Sequence, residues 1–216
     1  MKAILISIRP QHVANIFNLI KLLEIRKKFP KDYVGWVYIY VTKALPLLLK
    51  NKDSGKIFIN KLKAVEKDNL DRLPHIQKFN GKVVARFWCD KVEEIKPLKH
   101  KPSVFCPYNW LYYIVNDSPD NLKKNSCLDF NELHTYLQGK NGYAIHITKV
   151  EPFDKSKEIS EFHKIDNSNG FICFKCPHLC TDDSAGYSID SCDLGFENCE
   201  KTRLTRAPQS WCWIEV

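Results

Sequence analysis

Five cysteines crowd into one stretch of the chain, at positions 173, 176, 180, 192 and 199. Cys173 and Cys176 form a C-x2-C knuckle, which presents two sulfurs from one turn, and Cys192 and Cys199 follow after a loop containing Gly186. Four thiolates so spaced can close a tetrahedral structural zinc site, and Cys173, Cys176, Cys192 and Cys199 are the expected ligands. Cys180 or His178 could replace one of them, an iron–sulfur cluster is a further use of the same thiolates, and free thiols in a flexible loop are the plain alternative. The other cysteines, Cys89, Cys106, Cys127 and Cys212, are scattered and expected to be packed or partly buried.

A second constellation is the trio Lys21, Glu24 and Arg26. Glu24 and Arg26 alternate with Leu23 and Ile25, so a strand here shows both charges on one face, with Lys21 at the exit of a preceding helix. Such a trio could read a base edge: a carboxylate accepts from an exocyclic amine, a guanidinium donates a planar fork and an ammonium meets a phosphate. By spacing alone the simpler expectation is a solvated charge network on an exposed strand. His146, on a strand with apolar neighbours, is expected to be a satisfied core histidine.

The elements that must position these groups follow from periodicity. Ala3 to Ile8 reads as a buried strand, and Pro10 suits the first turn of a helix carrying Val13, Ile16, Phe17 and Ile20 on one stripe. Val34 to Thr42 is a strand with Val37, Ile39 and Val41 on one face, and Trp36, Tyr38 and Tyr40 on the other. Lys56 to Asn60 is a short strand, 62–79 has no clear period, and Asn80-Gly81 introduces a long strand over Lys82 to Ile95. Lys96 to Pro107 reads as a basic loop, and the aromatics Tyr108, Trp110, Tyr112 and Tyr113 as a short helix or irregular segment. Asp129 and Glu132 have capping-box spacing before Phe130, Leu133 and Leu137, with Gly139 at the C-cap. Gly142 to Val150 is a strand, Glu158 to His163 a turn of helix, and Trp211 to Val216 the last strand.

Strands interrupted by single helices, with strands at both chain ends, predict an α+β barrel whose termini pair. The doubly wound alternative lacks βαβ alternation and a glycine-rich phosphate loop. The 216 residues are enough for a substantial core. They divide into a barrel over 1–166, a cysteine-rich insertion over 167–201 and a closing strand over 202–216. No run of residues approaches a membrane span, and the apolar run from Ala3 to Ile8 is too short for a signal-peptide core, so a cytoplasmic protein without disulfides is expected.

Charge is unevenly distributed. Between Asp166 and Glu200 seven acidic residues stand against Lys175 alone, a balance of −6, so the rest of this +8 chain carries +14. A body that basic favours a polyanionic partner, although a lysine-rich surface that only maintains solubility has the same composition.

Four landmarks then recur in order. Ser7-Ile8-Arg9-Pro10, a helix and Lys21-Leu22-Leu23-Glu24-Ile25-Arg26 resemble the S-x-K/R-P, helix, G-x-K-T-x-E-x-R opening of ASCH-domain proteins. Gly81-Lys82-Val83-Val84-Ala85, Gly142 to Ile147, and Ala207-Pro208-Gln209-Ser210-Trp211 are similar to the family's later strands and closing segment. The resemblance is to small phage- or prophage-type bacterial members and implies a PUA-like barrel, binding RNA or a modified nucleotide. Its cleft would lie between the first helix, the Lys21 to Arg26 strand and the closing segment. It would bring Arg9, Lys21, Glu24, Arg26, Gln209 and Ser210 together, with Trp36, Tyr143 or Trp211 as a stacking platform. Leu19 and Leu22 stand where the pattern has Gly and Thr, and Glu24 stands where amidohydrolase members carry a Thr nucleophile. An acylcytidine-type nucleoside amidohydrolase using Lys21 and Glu24 for acid–base work, and a phage-derived factor docking a host protein, are the other readings. Elemental analysis of the purified protein is expected to give about one zinc per chain, a ratio lost when Cys173 and Cys176 are replaced by Ser.

Overall fold

The computed structural model describes residues 2–60, 73–101, 109–165, 172–173, 187–188 and 203–216. Its central six-stranded sheet has the order β11-β7-β3-β1-β15-β12, built from β1 (Lys2–Ile8), β3 (Gly35–Val41), β7 (Val83–Cys89), β11 (Lys149–Lys157), β12 (His163–Lys164) and β15 (Trp211–Glu215). β1 runs parallel to β3 and antiparallel to β15, so the two ends of the chain do pair. This strand is buried on both faces, because the two-residue alternation sends Ile4, Ile6 and Ile8 into one core and Ala3 and Leu5 into another. β3 divides the same way, with Val37, Ile39 and Val41 on the first face and Tyr38 and Tyr40 on the second.

A four-stranded antiparallel sheet, β2-β10-β8-β9, contains β2 (Leu23–Arg26), β8 (Val92–Lys99), β9 (Trp110–Ile114) and β10 (Gly142–His146). Helices α2 (Pro119–Ser126) and α3 (Phe130–Leu137) cover one of its faces. Leu23, Ile25, Tyr112, Ala144, Leu122, Phe130 and Leu133 share that core. A third sheet, β5-β4-β6, joins β4 (Leu47–Asn51), β5 (Ile57–Asn60) and β6 (Ile76–Lys78) and packs against α1 (Pro10–Phe17). Its anchor is Asn80, whose side chain accepts from Leu48 N–H at 2.7 Å and donates to the Ala44 and Pro46 carbonyls. The expected α+β class therefore holds.

Several expected boundaries move. The long strand over 82–95 is two strands in two sheets, since the chain turns at Asp90-Lys91 and β7 and β8 pair with different partners. Gly142 to Val150 divides likewise into β10 and the start of β11. The expected loop from Lys96 begins as strand, with Pro97 opposite Tyr112, and Trp110 to Tyr113 are strand β9 rather than helix. Aromatic side chains suit a half-buried pleated surface, and that fit prevails here. The capping box is present on α3: Asp129 accepts from Glu132 N–H while Glu132 accepts from Asp129 N–H. The left-handed C-cap falls on Gln138 and continues through Gly139. Most of the cysteine-rich insertion lies outside the described residues; within it, β13 (Ile172–Cys173) pairs antiparallel with β14 (Tyr187–Ser188).

Helix α1 stops at Phe17, one turn before the expected end, so Ile20 is exposed rather than on the buried stripe. The chain reverses through Leu19, which holds a left-handed φ of 56°, and the Ile20 and Lys21 N–H groups both bond back to the Asn15 carbonyl. A Cβ is strained in that region, whereas the Leu19 side chain, 65% exposed, contributes little burial. Leu19→Gly should therefore raise stability by roughly 0.5 to 1 kcal/mol, after the larger unfolded-state entropy of glycine is subtracted, as read by chemical denaturation.

Candidate nucleotide-binding cleft

Where β1, β2, β3 and the two ends of α1 meet α3, a cleft of about 880 Å³ opens. Its charged centre is Glu24, which strand alternation turns away from the core containing Leu23 and Ile25. Arg26 Nη2 lies 3.0 Å from Glu24 Oε1 and donates to the Ser7 carbonyl at 2.6 Å. On the other side, Lys21 Nζ is 3.4 Å from Glu24 Oε2 and donates to the Ser126 carbonyl at 2.6 Å. Ser126 is the last residue of α2, so the ammonium sits on the negative end of a helix. The three side chains are nearly dry, with relative exposures of 1% for Lys21, 6% for Glu24 and 7% for Arg26.

That burial overturns the solvated charge network expected from spacing. It also removes Lys21 from the phosphate-contacting role, since its ammonium is enclosed and bonded. Lys21 instead holds Glu24 and ties β2 to α2, together with the bond from Leu22 N–H to the Asn125 carbonyl at 2.8 Å. The trio leaves one positive charge in excess, a field that favours an electron-rich or anionic ligand group.

Of the expected site residues, Arg9, Lys21, Glu24, Arg26, Gln209 and Ser210 all line this one cleft. The closing segment is fastened to β1 by Ser7 N–H to the Ser210 carbonyl at 3.0 Å, and by Ser7 Oγ to the Pro208 carbonyl at 2.6 Å. The three proposed stacking aromatics do not line it. Trp36 packs on Trp88 in the central sheet, with the Arg86 guanidinium 4.0 Å above its ring. Tyr143 lies near Lys31, and Trp211 donates its Nε1–H to the Lys28 carbonyl while packing on Phe29. Partners on neighbouring strands, and for Tyr143 and Trp211 in the loop between β2 and β3, claim these rings, which a single strand's pattern does not reveal. The cleft's own aromatic side chains are Tyr136, on α3, and the His12 imidazole. His146 is likewise not a core residue: it is half-buried and its Nε2 pairs with Glu93 at 2.6 Å.

Gln11, His12 and Thr42 were not legible as site residues. The first two form the polar side of α1's first turn, a usable signal only once the opposite stripe is known to pack inward; Thr42 merely ends an apolar strand. Yet among the described residues five buried side-chain polar atoms lack a protein hydrogen-bond partner, and each belongs to a residue of this cleft: Gln11 Oε1, His12 Nδ1, Glu24 Oε2, Arg26 Nε and Thr42 Oγ1. Burial first, and then the adjacent Lys21 ammonium, lower the His12 pKa from its ordinary value, so the ring is neutral at pH 7.

The four expected zinc ligands cannot be placed: Cys176, Cys192, Cys199 and the Cys173 side chain lie outside the described residues, which contain no cluster of three or more metal-ligating groups. Cys89 and Cys212 are buried and Cys127 is half-buried. No helix among the described residues is long and apolar enough to cross a membrane.

No family model and no curated protein matches the chain. Among solved structures, the ASCH protein of Zymomonas mobilis aligns with a TM-score of 0.43 and 12% identity, covering 73% of each chain. A tyrosine-to-phenylalanine variant of that protein aligns with a TM-score of 0.42 and 12% identity, over 74% of this chain and 77% of that one.

Glu24→Gln should destabilise the fold by about 3 to 5 kcal/mol in denaturant titrations, because Lys21 and Arg26 then face each other without a counter-charge, and adding Lys21→Met should recover part of the loss. Above about pH 6.5 His12 is neutral both folded and unfolded; below it the unfolded chain protonates first, so stability falls as pH drops from there through the lower folded value. His12→Gln should flatten that part of the stability–pH curve.

Proposed function

We propose that this chain is an ASCH-type RNA- or modified-nucleotide-binding module whose cleft admits one base. The observation that carries the reading is a set of four buried polar atoms without a hydrogen-bond partner, Gln11 Oε1, His12 Nδ1, Arg26 Nε and Thr42 Oγ1, around a single concavity beside the ion-paired Glu24 carboxylate. A buried polar group without a partner costs about 1 to 3 kcal/mol, and four in one place suit a ligand whose polar edge pairs with them. The set mixes an acceptor (Gln11 Oε1), a donor (Arg26 Nε) and two groups of either kind (His12, Thr42), as the edge of a nucleobase does. Tyr136, half-buried with the Lys27 ammonium 5.3 Å from its ring centroid, is the aromatic ring beside that base. The landmarks Ser7 to Pro10, Lys21 to Arg26 and Gln209-Ser210 support the same reading, because residues from all three line the cleft. The left-handed φ at Leu19 gives a physical reason for the glycine that the ASCH pattern carries there.

A binding role fits the trio better than acid–base catalysis. Lys21 Nζ is buried, donates to the Ser126 carbonyl and pairs with the Glu24 carboxylate, so it is engaged within the protein rather than aimed at a reacting group. Within this proposal the zinc is structural and belongs to the insertion, Arg9 at the exposed rim meets phosphate, and the partner is cytoplasmic nucleic acid or a nucleotide.

Calorimetric titration against a panel of ordinary and base-modified nucleosides should identify a ligand. Thr42→Val and Gln11→Ala, which leave the ion trio intact, should each weaken it about 5- to 30-fold. Full affinity in both variants, at unchanged stability, would remove the cleft from the binding reaction.

A further inference from the structure

A second concavity, of about 860 Å³, lies at the seam between the three-stranded sheet and the edge of the central sheet. Five lysines line it, Lys50, Lys52, Lys78, Lys82 and Lys155, with Asp154 as the one acidic side chain in the lining. Lys50 is on β4 and Lys52 in the turn that follows it, and both line the groove. Gln77 sits opposite Lys50 in the β4–β6 register, and its Nε2 donates to Ser156 Oγ at 3.0 Å, in the bulged stretch of β11. That bond crosses the seam and fixes the floor of the groove to both sheets.

Two of the lysines are engaged: Lys82 pairs with Glu158, and Lys52 Nζ donates to the Pro74 carbonyl at 2.7 Å. Lys50, Lys78 and Lys155 have no carboxylate partner among the described residues. Like charges held on a concave wall concentrate a positive potential, which costs stability in the free protein and is relieved by a bound polyanion. The lining has no aromatic ring and Ile76 as its single apolar side chain, so nothing in it selects a base or an apolar moiety. We propose that this groove is a second binding site, which takes a chain of phosphates through charge alone.

The groove adjoins the cleft through the backbone. Val41 N–H donates to the Lys82 carbonyl at 2.9 Å and Gly81 N–H to the Val41 carbonyl at 2.8 Å, while Thr42, the next residue, lines the cleft. The proposal extends to a single nucleic-acid strand that places one base in the cleft and runs its phosphodiester backbone past this junction into the groove. That threading rests on the cleft reading; the groove's affinity for phosphate does not.

The test compares the full chain with the triple variant Lys50→Ala, Lys78→Ala, Lys155→Ala. The probes are a labelled oligouridylate of about 12 residues and a linear inorganic polyphosphate of similar length. Removing three phosphate contacts should weaken oligouridylate binding about tenfold or more near 0.1 M salt and make the log–log salt slope shallower by about 2. Nucleoside affinity at the cleft should stay at its original value, and Arg at the same three positions should restore chain binding. Loss confined to polyphosphate supports the groove and identifies free polyphosphate as the source; loss of both supports a nucleic-acid backbone. Unchanged binding of both probes, in a variant with the parent's thermal stability, would overturn the proposal. Failure of the cleft reading appears separately, as loss of nucleoside binding in neither cleft variant.

Discussion

The buried ion trio is the constraint around which this fold is arranged. Glu24 is held between Lys21 and Arg26, and each cation is also bonded to a carbonyl of a different element, Ser126 on α2 and Ser7 on β1. Three elements far apart in sequence thus converge on one carboxylate. Desolvating three charges costs several kcal/mol per ion before attraction offsets it, so the arrangement is a poor way to gain stability. An arrangement of this kind is better understood as fixing geometry: it sets the position of β2 relative to β1 and α2, and those relative positions are what form the cleft.

The same trio sets the electrostatics of the cleft. Its excess positive charge lies beside the neutral Gln11, His12 and Thr42 side chains, His12 kept uncharged by burial and the Lys21 ammonium, while Arg9, Lys27, Asp129 and Glu132 bring both signs of charge to the rest of the lining. Neutral edge-reading groups above a fixed cation suit a polar, electron-rich ring better than a free anion. The lysine groove across the end of β3 has the opposite character, with charge but no directional polar wall. Shape and hydrogen bonding in one concavity, and unspecific attraction in the other, are the two components by which proteins separate base readout from phosphate contact.

The two-faced burial of β1 and β3 explains why so many aromatic residues are absent from the cleft. With cores on both sides of the central sheet, Tyr38, Tyr40 and the partly buried Trp36 and Trp211 have packing partners on whichever face they project from. Tyr136 remains on the cleft side of α3 because the helix's buried stripe is occupied by Phe130, Leu133 and Leu137.

Local interactions were legible in the sequence. The apolar run of β1, the alternation in β3, the proline-initiated α1 and the capping box of α3 are set by neighbours within a few residues or by simple alternation, and the structure has them; the pairing of the chain ends followed only from finding a strand at each end. So was the membership of the cleft wall, because the resemblance grouped Arg9, Lys21, Glu24, Arg26, Gln209 and Ser210. What tertiary structure alone decided was which of these groups are dry, which are already bonded, and which rings other residues had claimed. Lys21 reads from its spacing as a solvated cation, and becomes a buried strut only because the end of α2, more than a hundred residues later, places a carbonyl against it. The split of 82–95 into two sheets and the polar roles of Gln11, His12 and Thr42 have the same origin: burial and partnership are properties of pairs distant in the chain, and no local period encodes them.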